Sequence, residues 1–488
     1  MVTRLAEELG TSRKFIYGLA DRVRLAVEEA MKPLPPGPKP VCQSLVVDRQ
    51  QLDRAIMTLA MAGKAAERPI AECLKGIYRV EPSLGYISGV LGRASRAAEQ
   101  FNRERSFVLP EAQVEGDELY SCRQPHLVAV EHSSLVILTL ERPKRCDGVA
   151  WEEALDDIGS RGVDLARVGS DGGKALAAAL SKLARVEQQL DPWHALRHVG
   201  RALRGLEQAV YKAMAKEEEL AKKLKKGKGM DPAHPMGGYV HDRYREVQKD
   251  VQERIQRYEA MCILKEWVAE ALEGIELRTG RLRSKAECLA DLAAATALMR
   301  ELKAATAKKL ADYLDKAGPR LLAYVDRLSA PLAELAEELG EEGVRQLSRE
   351  RLLERELAKA KSRERAEVQE AYVRTHLLTL LRYGKEYPGA RERVGRALES
   401  VMRGSSLAEC VNSWLRPYAD LMKGLGDRFL PLFVLYRNAH VFQRGKRAGH
   451  SPYQLAGVET LEGDWLDWLG FGHNTLPCRA VRSLPKTA

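Results

Sequence analysis

Residues 112–142 read AQVEGDELYSCRQPHLVAVEHSSLVILTLER. Three runs rich in Val, Leu, Ile and Tyr stand out: AQVEGDELY (112–120), HLVAVEH (126–132) and SLVILTLER (134–142). Short connections separate them, and this spacing predicts an antiparallel β-meander. DGVAWEEALDDIGSRG (147–162) then has a helical pattern, and LARVGSD (165–171) reads as a fourth strand. GGKALAAALSKLAR (172–185) returns to helix, and VEQQLD (186–191) is a short fifth strand. The order β-β-β-α-β-α-β predicts a mixed α/β sheet with helices on its faces, occupying residues 109–200.

On the C-terminal side of this core the strand signal vanishes. Residues 201–400 carry long Ala/Leu/Glu/Lys/Arg helices, with breaks expected at 225–238, 277–284, 316–320, 339–343 and 384–390. Several of these helices suit antiparallel coiled-coil pairing. KEEELAKKLKKGKG (216–229) reads as a solvated, charge-rich helix end. Residues 401–460 form a further segment, and 461–488 a tail whose two Trp residues are expected to dock on the core.

On the N-terminal side, VTRLAEELGTSRKFIYGLADR (2–22) within residues 1–30 reads as a helix-turn-helix. Ala6, Gly10 and Ile16 fall where two crossing helices need a small contact, a turn and an apolar pin. Thr11 is the expected cap of the second helix. Ser12, Arg13, Lys14 and Tyr17 are then left to face a DNA major groove. MKPLPPGPKP (31–40) is a semi-rigid Pro-rich linker. Residues 41–108 form a second helical domain: a helix, a turn around VEPS, and a longer helix starting near Pro82 or Ser83. It is read either as a second DNA-binding unit or as a support for the core.

Composition narrows the class. In 488 residues, 45% are hydrophobic and 30% charged, as in a globular protein with much exposed helix. No run of eighteen apolar residues is present, so no membrane partner is expected. MVTRLAEELGTSRKF at the start lacks a secretory apolar region. The eight cysteines (42, 73, 122, 146, 262, 288, 410 and 478) show no C-x-x-C spacing, which points to a reducing cytoplasm rather than a disulfide framework or zinc site. A net charge of +10 and a pI near 9.1 suit a polyanionic partner.

The chemistry-bearing candidates are acidic. Asp117 belongs to the first strand, and Asp171 closes the fourth just before two glycines. Ligands of open α/β sheets gather at strand ends, so both are well placed. If the two strands are neighbours, their carboxylates converge as a hard-oxygen Mg²⁺ site, and a third carboxylate allows two ions. A candidate third is Glu409 in SSLAECVNSWLRPY (405–418). As a helix this stretch sets Leu407, Cys410, Val411, Trp414 and Leu415 on one side. Ser405, Ser406, Glu409, Asn412, Ser413 and Arg416 fall on the other. Ser406-x-x-Glu409 also matches a capping box. Asp191-Pro192 reads as a helix start, leaving His194 as a core or phosphate-facing residue. Arg444, Lys446 and Arg447 in FQRGKRAGHSPYQLAG (442–457) suit phosphate contacts or a solvated turn.

Taken in order, GDELY, HLVAVEHSSLVILTLE, VGSDGGKALAAAL with DPWHALRHVGRAL, SSLAECVNSWLRPY and LYRNAHVFQRGKRAGHSPYQLAG resemble bacterial insertion-sequence transposases of the DDE type. The resemblance runs from about residue 111 to 457 and loosely through the N-terminal helices. It implies an RNase H-like core interrupted by a large all-α insertion. It also implies Asp117, Asp171 and Glu409 as the catalytic and metal-binding residues, two Mg²⁺ or Mn²⁺ ions, and His194 in a supporting place. Asn412, Arg416, Arg444, Lys446 and Arg447 would lie along the DNA. The activity implied is cleavage at the element's ends and transfer of the 3′-OH to target DNA. Double-stranded DNA, at least a homodimer, and a cytoplasmic, nucleoid-associated location in a prokaryote go with it. Two other readings stand beside it: an RNase H-like structure-directed nuclease, and a catalytically silent DNA-binding descendant of a transposase.

Overall fold

A computed structural model describes residues 2–31, 47–121, 124–226, 235–361, 364–404, 406–421, 426, 428–458 and 462–472. The Pro-rich linker (apart from Met31), Ser405 and the last sixteen residues lie outside them. The chain divides into two compact units, Met1–Arg49 and Gln50–Ala488.

In the first unit, α1 (Val2–Glu8) and α2 (Arg13–Ala30) are joined by a tight turn at Gly10, whose φ of +60° favours glycine. Ala6 and Ile16 are buried where the two helices meet, as the spacing predicts. The cap differs from the expected one. Ser12, not Thr11, is the N-cap of α2, its Oγ accepting from the Phe15 N–H. Arg13, Lys14 and Tyr17 are exposed, but the Ser12 hydroxyl is occupied within the helix start.

The second unit opens with three helices, α3 (Arg49–Met61), α4 (Glu67–Tyr78) and α5 (Leu84–Glu104), the last capped by Ser83 as expected. The sheet follows: β1 (Leu109–Ser121), β2 (Gln124–Glu131), β3 (Ile137–Glu141), α6 (Gly148–Ser160), β4 (Val163–Ser170), α7 (Lys174–Leu180) and β5 (Glu187–Leu190). Its strand order is β3-β2-β1-β4-β5, with β1–β2 and β2–β3 antiparallel and β1–β4 and β4–β5 parallel. The meander and the mixed sheet of the sequence reading are both present. Residues 127–131 are buried on both faces, since helices cover each side of β2.

Two glycines mark those two faces. A Cβ on Gly116 would sit 2.7 Å from Leu176 and 3.3 Å from Trp151, so α6 and α7 press directly on β1 there. A Cβ on Gly169 would meet Met402 at 2.8 Å, so the chain leading into α16 (Ser406–Leu421) crosses the opposite face. α17 (Leu430–Ala439) packs against α5 and closes the edge strand. There the buried Asn438 amide imitates a neighbouring strand: Oδ1 accepts from Ile137 N–H at 2.8 Å and Nδ2 donates to Ile137 C=O at 3.0 Å. The short helices α18 (Pro452–Leu455) and α19 (Trp465–Trp468) complete this core. Trp468 stacks on Phe101 with centroids 5.8 Å apart, and Arg54 donates to Asp464, Asp467 and the Phe471 carbonyl. The two Trp residues thus dock as expected.

The helical block is α8 (Pro192–Lys226), α9 (Pro235–Ala271), α10 (Lys285–Glu301), α11 (Ala305–Leu321), α12 (Ala323–Leu339), α13 (Glu341–Lys359), α14 (Arg365–Tyr383) and α15 (Tyr387–Glu399). It owns a separate apolar core. Buried Arg167 of β4 joins it to the sheet, paired with Glu187 at 2.7 Å, while Glu187 also accepts from Arg327 of α12 at 3.0 Å. The expected break at 316–320 is displaced. Pro319 is accommodated in the last turn of α11, and the chain turns at Leu322 instead. No described helix is long and apolar enough to cross a membrane, and the five described cysteines (73, 146, 262, 288 and 410) are free.

Candidate active site

β1 and β4 run parallel, with Glu115 opposite Gly169. Two residues further along the chain from each lie Asp117, within β1 and against Asn412 of α16, and Asp171, just past the end of β4. The Asp171 carboxylate accepts from the Gly173 N–H at 2.9 Å, and its charge acts on the Asp117 carboxyl. β4 and β5 pair Ser170 with Leu190, which sets Asp191 beside Asp171 in the next strand. Asp171 and Asp191 therefore follow the C-terminal ends of β4 and β5, while Asp117 lies within β1, ahead of its end at Ser121.

Burial comes first in raising the Asp117 carboxyl above its ordinary 3.8, and the charges of Asp171 and Glu409 add to it. The Glu118 N–H and the Asn412 amide pull the other way, the latter donating to Oδ2 at 2.9 Å. Glu409 is exposed and adds its charge from the α16 side. The three sequence candidates thus share one electrostatic neighbourhood. The donor set, all carboxylate oxygen, suits a hard divalent cation. Among the described residues, however, no group of three or more His, Cys, Asp or Glu is drawn together closely enough to hold a metal ion.

Glu115 answers how α16 is seated. Its carboxylate is 1% exposed and accepts from the first-turn N–H groups of Leu407 at 2.6 Å and Ala408 at 3.4 Å. Burial raises its pKa, against the effect of these donors and of His132. The His132 Nδ1 stands 3.7 Å from Oε1, too far for a hydrogen bond but near enough to favour the charge. Of the expected capping box at Ser406-x-x-Glu409, Ser406 is the first residue of α16 itself, and Ser405 lies outside the described residues.

Asn412 also departs from the expected outer face. Ala408, Val411, Leu415 and Tyr418 form the buried stripe of α16, and position 412 lies inside that stripe. Asn412 is 5% exposed and turned onto Asp117, its Oδ1 buried without a partner. Ser413 and Arg416 are exposed as expected.

His194 lies in the first turn of α8. Its Nδ1 is 2.9 Å from Asp191 Oδ2, while Asp191 Oδ1 accepts from the Trp193 N–H at 2.8 Å as the helix cap. The Asp191 hydrogen bond raises the imidazole pKa above 6.5, burial opposes this, and the charges of Asp171 and Glu409 add to the rise. Stability from this pair is full below the ordinary value of 6.5 and is lost as the pH climbs through the higher folded value. An NMR titration of the ring protons is expected to place His194 above 6.5 and to move it down in Asp191→Asn, which removes the largest cause of the rise.

Two neighbours escaped the sequence reading. His198, one turn further, tilts against Tyr313 of α11 with centroids 4.7 Å apart. Both feel the charge of Asp171. The i, i+4 spacing of His194 and His198 was their only signal.

Residues 442–457 lie beside the β2–β3 turn. Arg447 is half-buried and donates to the carbonyls of Ser133 and His132 at 2.7 Å each, tying the β2–β3 turn. Burial lowers its pKa. Lys446 reaches Glu399 at 3.4 Å, and Arg444 is exposed. Of the three expected phosphate contacts, Arg447 is committed to the fold. No protein-family model matches the chain, and no curated protein matches it.

Proposed function

We propose that the chain is a metal-dependent phosphoryl-transfer enzyme acting on DNA, with Asp117, Asp171 and Glu409 as its catalytic carboxylates. More particularly, we infer a DDE-type transposase on an RNase H-like core. The observation that carries this reading is the placement of Asp117 on β1 and of Asp171 just past the end of the parallel neighbour β4, with the charges of Asp171 and Glu409 both acting on the Asp117 carboxyl. The strand order 3-2-1-4-5, with an antiparallel meander on one side and parallel strands on the other, interrupted by a helical block, supports the same class.

Mg²⁺ or Mn²⁺, two ions in the full site, would supply Lewis-acid stabilisation of the charge on the transferring phosphate. The protein's own residues do the positioning. Asn412 holds the Asp117 carboxylate, Glu115 seats the helix that carries Glu409, and His194, held by Asp191, stands beside the acidic edge. Arg13, Lys14 and Tyr17, with Ser12 as cap, form a helix-turn-helix suited to the element's terminal repeats. Two ends must be held together, so a homodimer or larger assembly in the prokaryotic cytoplasm, associated with the nucleoid, completes the proposal.

A strand-transfer assay tests it. Labelled duplex ending in the gene-flanking sequence with a free 3′-OH is incubated with supercoiled plasmid and Mn²⁺. Labelled plasmid is the expected product. Nicking without joining would favour the structure-directed nuclease, and binding without either would favour the silent DNA-binding descendant.

A further inference from the structure

The helix α8 begins at the acidic edge, with Asp191 as its cap and His194 in its first turn. From there one face of the helix is open. Trp193, Arg197, Arg201, Arg204, Gln208 and Lys212 are all exposed, at intervals of three or four residues. That spacing is a single stripe. From Trp193 to Lys212 it covers about 28 Å at 1.5 Å per residue, close to eight base pairs of duplex.

The cations of the stripe are uncommitted. Arg197 lies over the Trp193 ring at 4.8 Å, and among the described residues Arg197, Arg201 and Arg204 enter no ion pair. This contrasts with the long charged helices elsewhere, where Arg254 pairs with Asp250 and Arg257 with Glu253 four residues back. The first carboxylate along α8, Glu207, is half-buried near Tyr258, off the open face. Gly200 lies between the arginines, and a Cβ there would meet nothing within 4 Å. Packing therefore does not require that glycine, although it weakens a helix by about 0.5–1 kcal/mol relative to Ala.

The stripe is continuous with the site. His198 feels Arg201, His194 and Arg197 as well as Asp171, so the basic face starts within electrostatic reach of the catalytic carboxylates. A row of guanidinium groups that enter no ion pair among the described residues, with Trp193 under the first of them, is complementary to a regularly spaced polyanion.

We propose that the exposed face of α8 from Trp193 to Lys212 is a track for the phosphate backbone of duplex DNA leading to the acidic edge of the sheet. It rests on the DNA-acting reading above, and it locates the substrate's path on the helical block rather than on residues 442–457. The contacts are to phosphate, so they add affinity without sequence preference.

The test uses the full chain and a random-sequence duplex of about 30 base pairs, with affinity measured from about 50 to 300 mM salt. Each phosphate contact contributes about 0.9 to the log–log salt slope. R197A/R201A/R204A is expected to reduce the slope by about 2–3, with its circular dichroism and melting temperature unchanged. R197K/R201K/R204K, which keeps the charges, is expected to restore it. An unchanged slope in the alanine variant overturns the proposal. Mn²⁺-dependent cleavage of the flanking DNA by the wild type is read in parallel. Cleavage with an unchanged slope removes the α8 track and leaves the enzyme reading intact. A reduced slope with no cleavage by the wild type does the reverse.

Discussion

Replacing Asp117 by Asn is expected to abolish strand cleavage and, at the same time, to make the folded protein melt higher. The two effects have one cause. Burial and the charges of Asp171 and Glu409 hold the Asp117 carboxyl above its ordinary 3.8. The folded chain therefore binds that proton more tightly than the unfolded chain does. Stability falls as the pH rises from 3.8 through the folded value, and the penalty is present in full at neutral pH. The amide that replaces the carboxylate would carry no charge, and the fold would escape that penalty. The hydrogen bonds survive the change: the Glu118 N–H keeps an oxygen acceptor, and a flip of Asn412 offers its unpartnered Oδ1 to the new amide. A gain of about 1–3 °C in melting temperature at about pH 8 is expected. Mg²⁺ should raise the melting temperature of the wild type, by neutralising the carboxylates, and leave Asp117→Asn unmoved. Cleavage should fall by at least about 10³-fold, as loss of a group that positions transition-state charge does elsewhere. A variant that melts lower, or that still responds to Mg²⁺, would separate Asp117 from the metal.

Glu115→Ala is expected to lower the cleavage rate by about 10²-fold while leaving the affinity for DNA unchanged. The carboxylate touches no substrate. It holds the Leu407 and Ala408 N–H groups at the start of α16, and Glu409 follows directly on that turn. A displacement of about 1 Å at a catalytic group costs about two orders of magnitude. Two buried donors would also lose their acceptor, at a cost of about 1–3 kcal/mol each in the worst case. Glu115→Gln retains an acceptor oxygen and is expected to recover most of the rate. Equal loss in both variants would point to the charge itself rather than to the seating of the helix. A fall in DNA affinity matching the fall in rate would remove the positioning role.

The sheet was legible because its signal is local. Alternating and fully apolar runs with short connections specify strands, and Asp171 could be located at the end of β4 from the order of elements alone, whereas Asp117 lies inside β1. Register carried further information that went unread. Glu115 and Asp117 are two apart on one strand and must share a face, so a second carboxylate pointing towards α16 was implicit in VEGD. What Glu115 binds was not implicit, because its partners lie almost three hundred residues away. Asn412 was misplaced for a related reason. Its polarity suggested the outer face of the helix, whereas its phase sets it in the stripe of Ala408, Val411 and Leu415, where Asp117 supplies a partner. In the helical block the break at 339–343 falls where Gly340 takes φ +79°, whereas Gly318 and Pro319 stay inside α11. The break after α10 was not read, since Lys303 adopts φ +52° with nothing in its residue type to announce it.

The Lys and Arg residues show the same division between local and long-range information. FQRGKRAGH is a dense basic cluster, and density drew attention to it. Its Arg447 is taken up by the β2–β3 turn and its Lys446 by Glu399. The arginines of α8 are spread over a helix and look ordinary in the sequence, yet phase aligns them on one open face beside the acidic edge.

The most direct measurement is a 3′-end map. DNA carrying the sequences that flank this gene is incubated with the full chain and Mg²⁺ or Mn²⁺, wild type beside Asp171→Asn, and the ends are resolved on a sequencing gel. A single metal-dependent cut in the wild type, absent from the variant, is the expected result. Metal-independent cleavage, the same cut in both proteins, or binding with no cut at all would contradict the assignment of Asp117, Asp171 and Glu409 as the catalytic carboxylates.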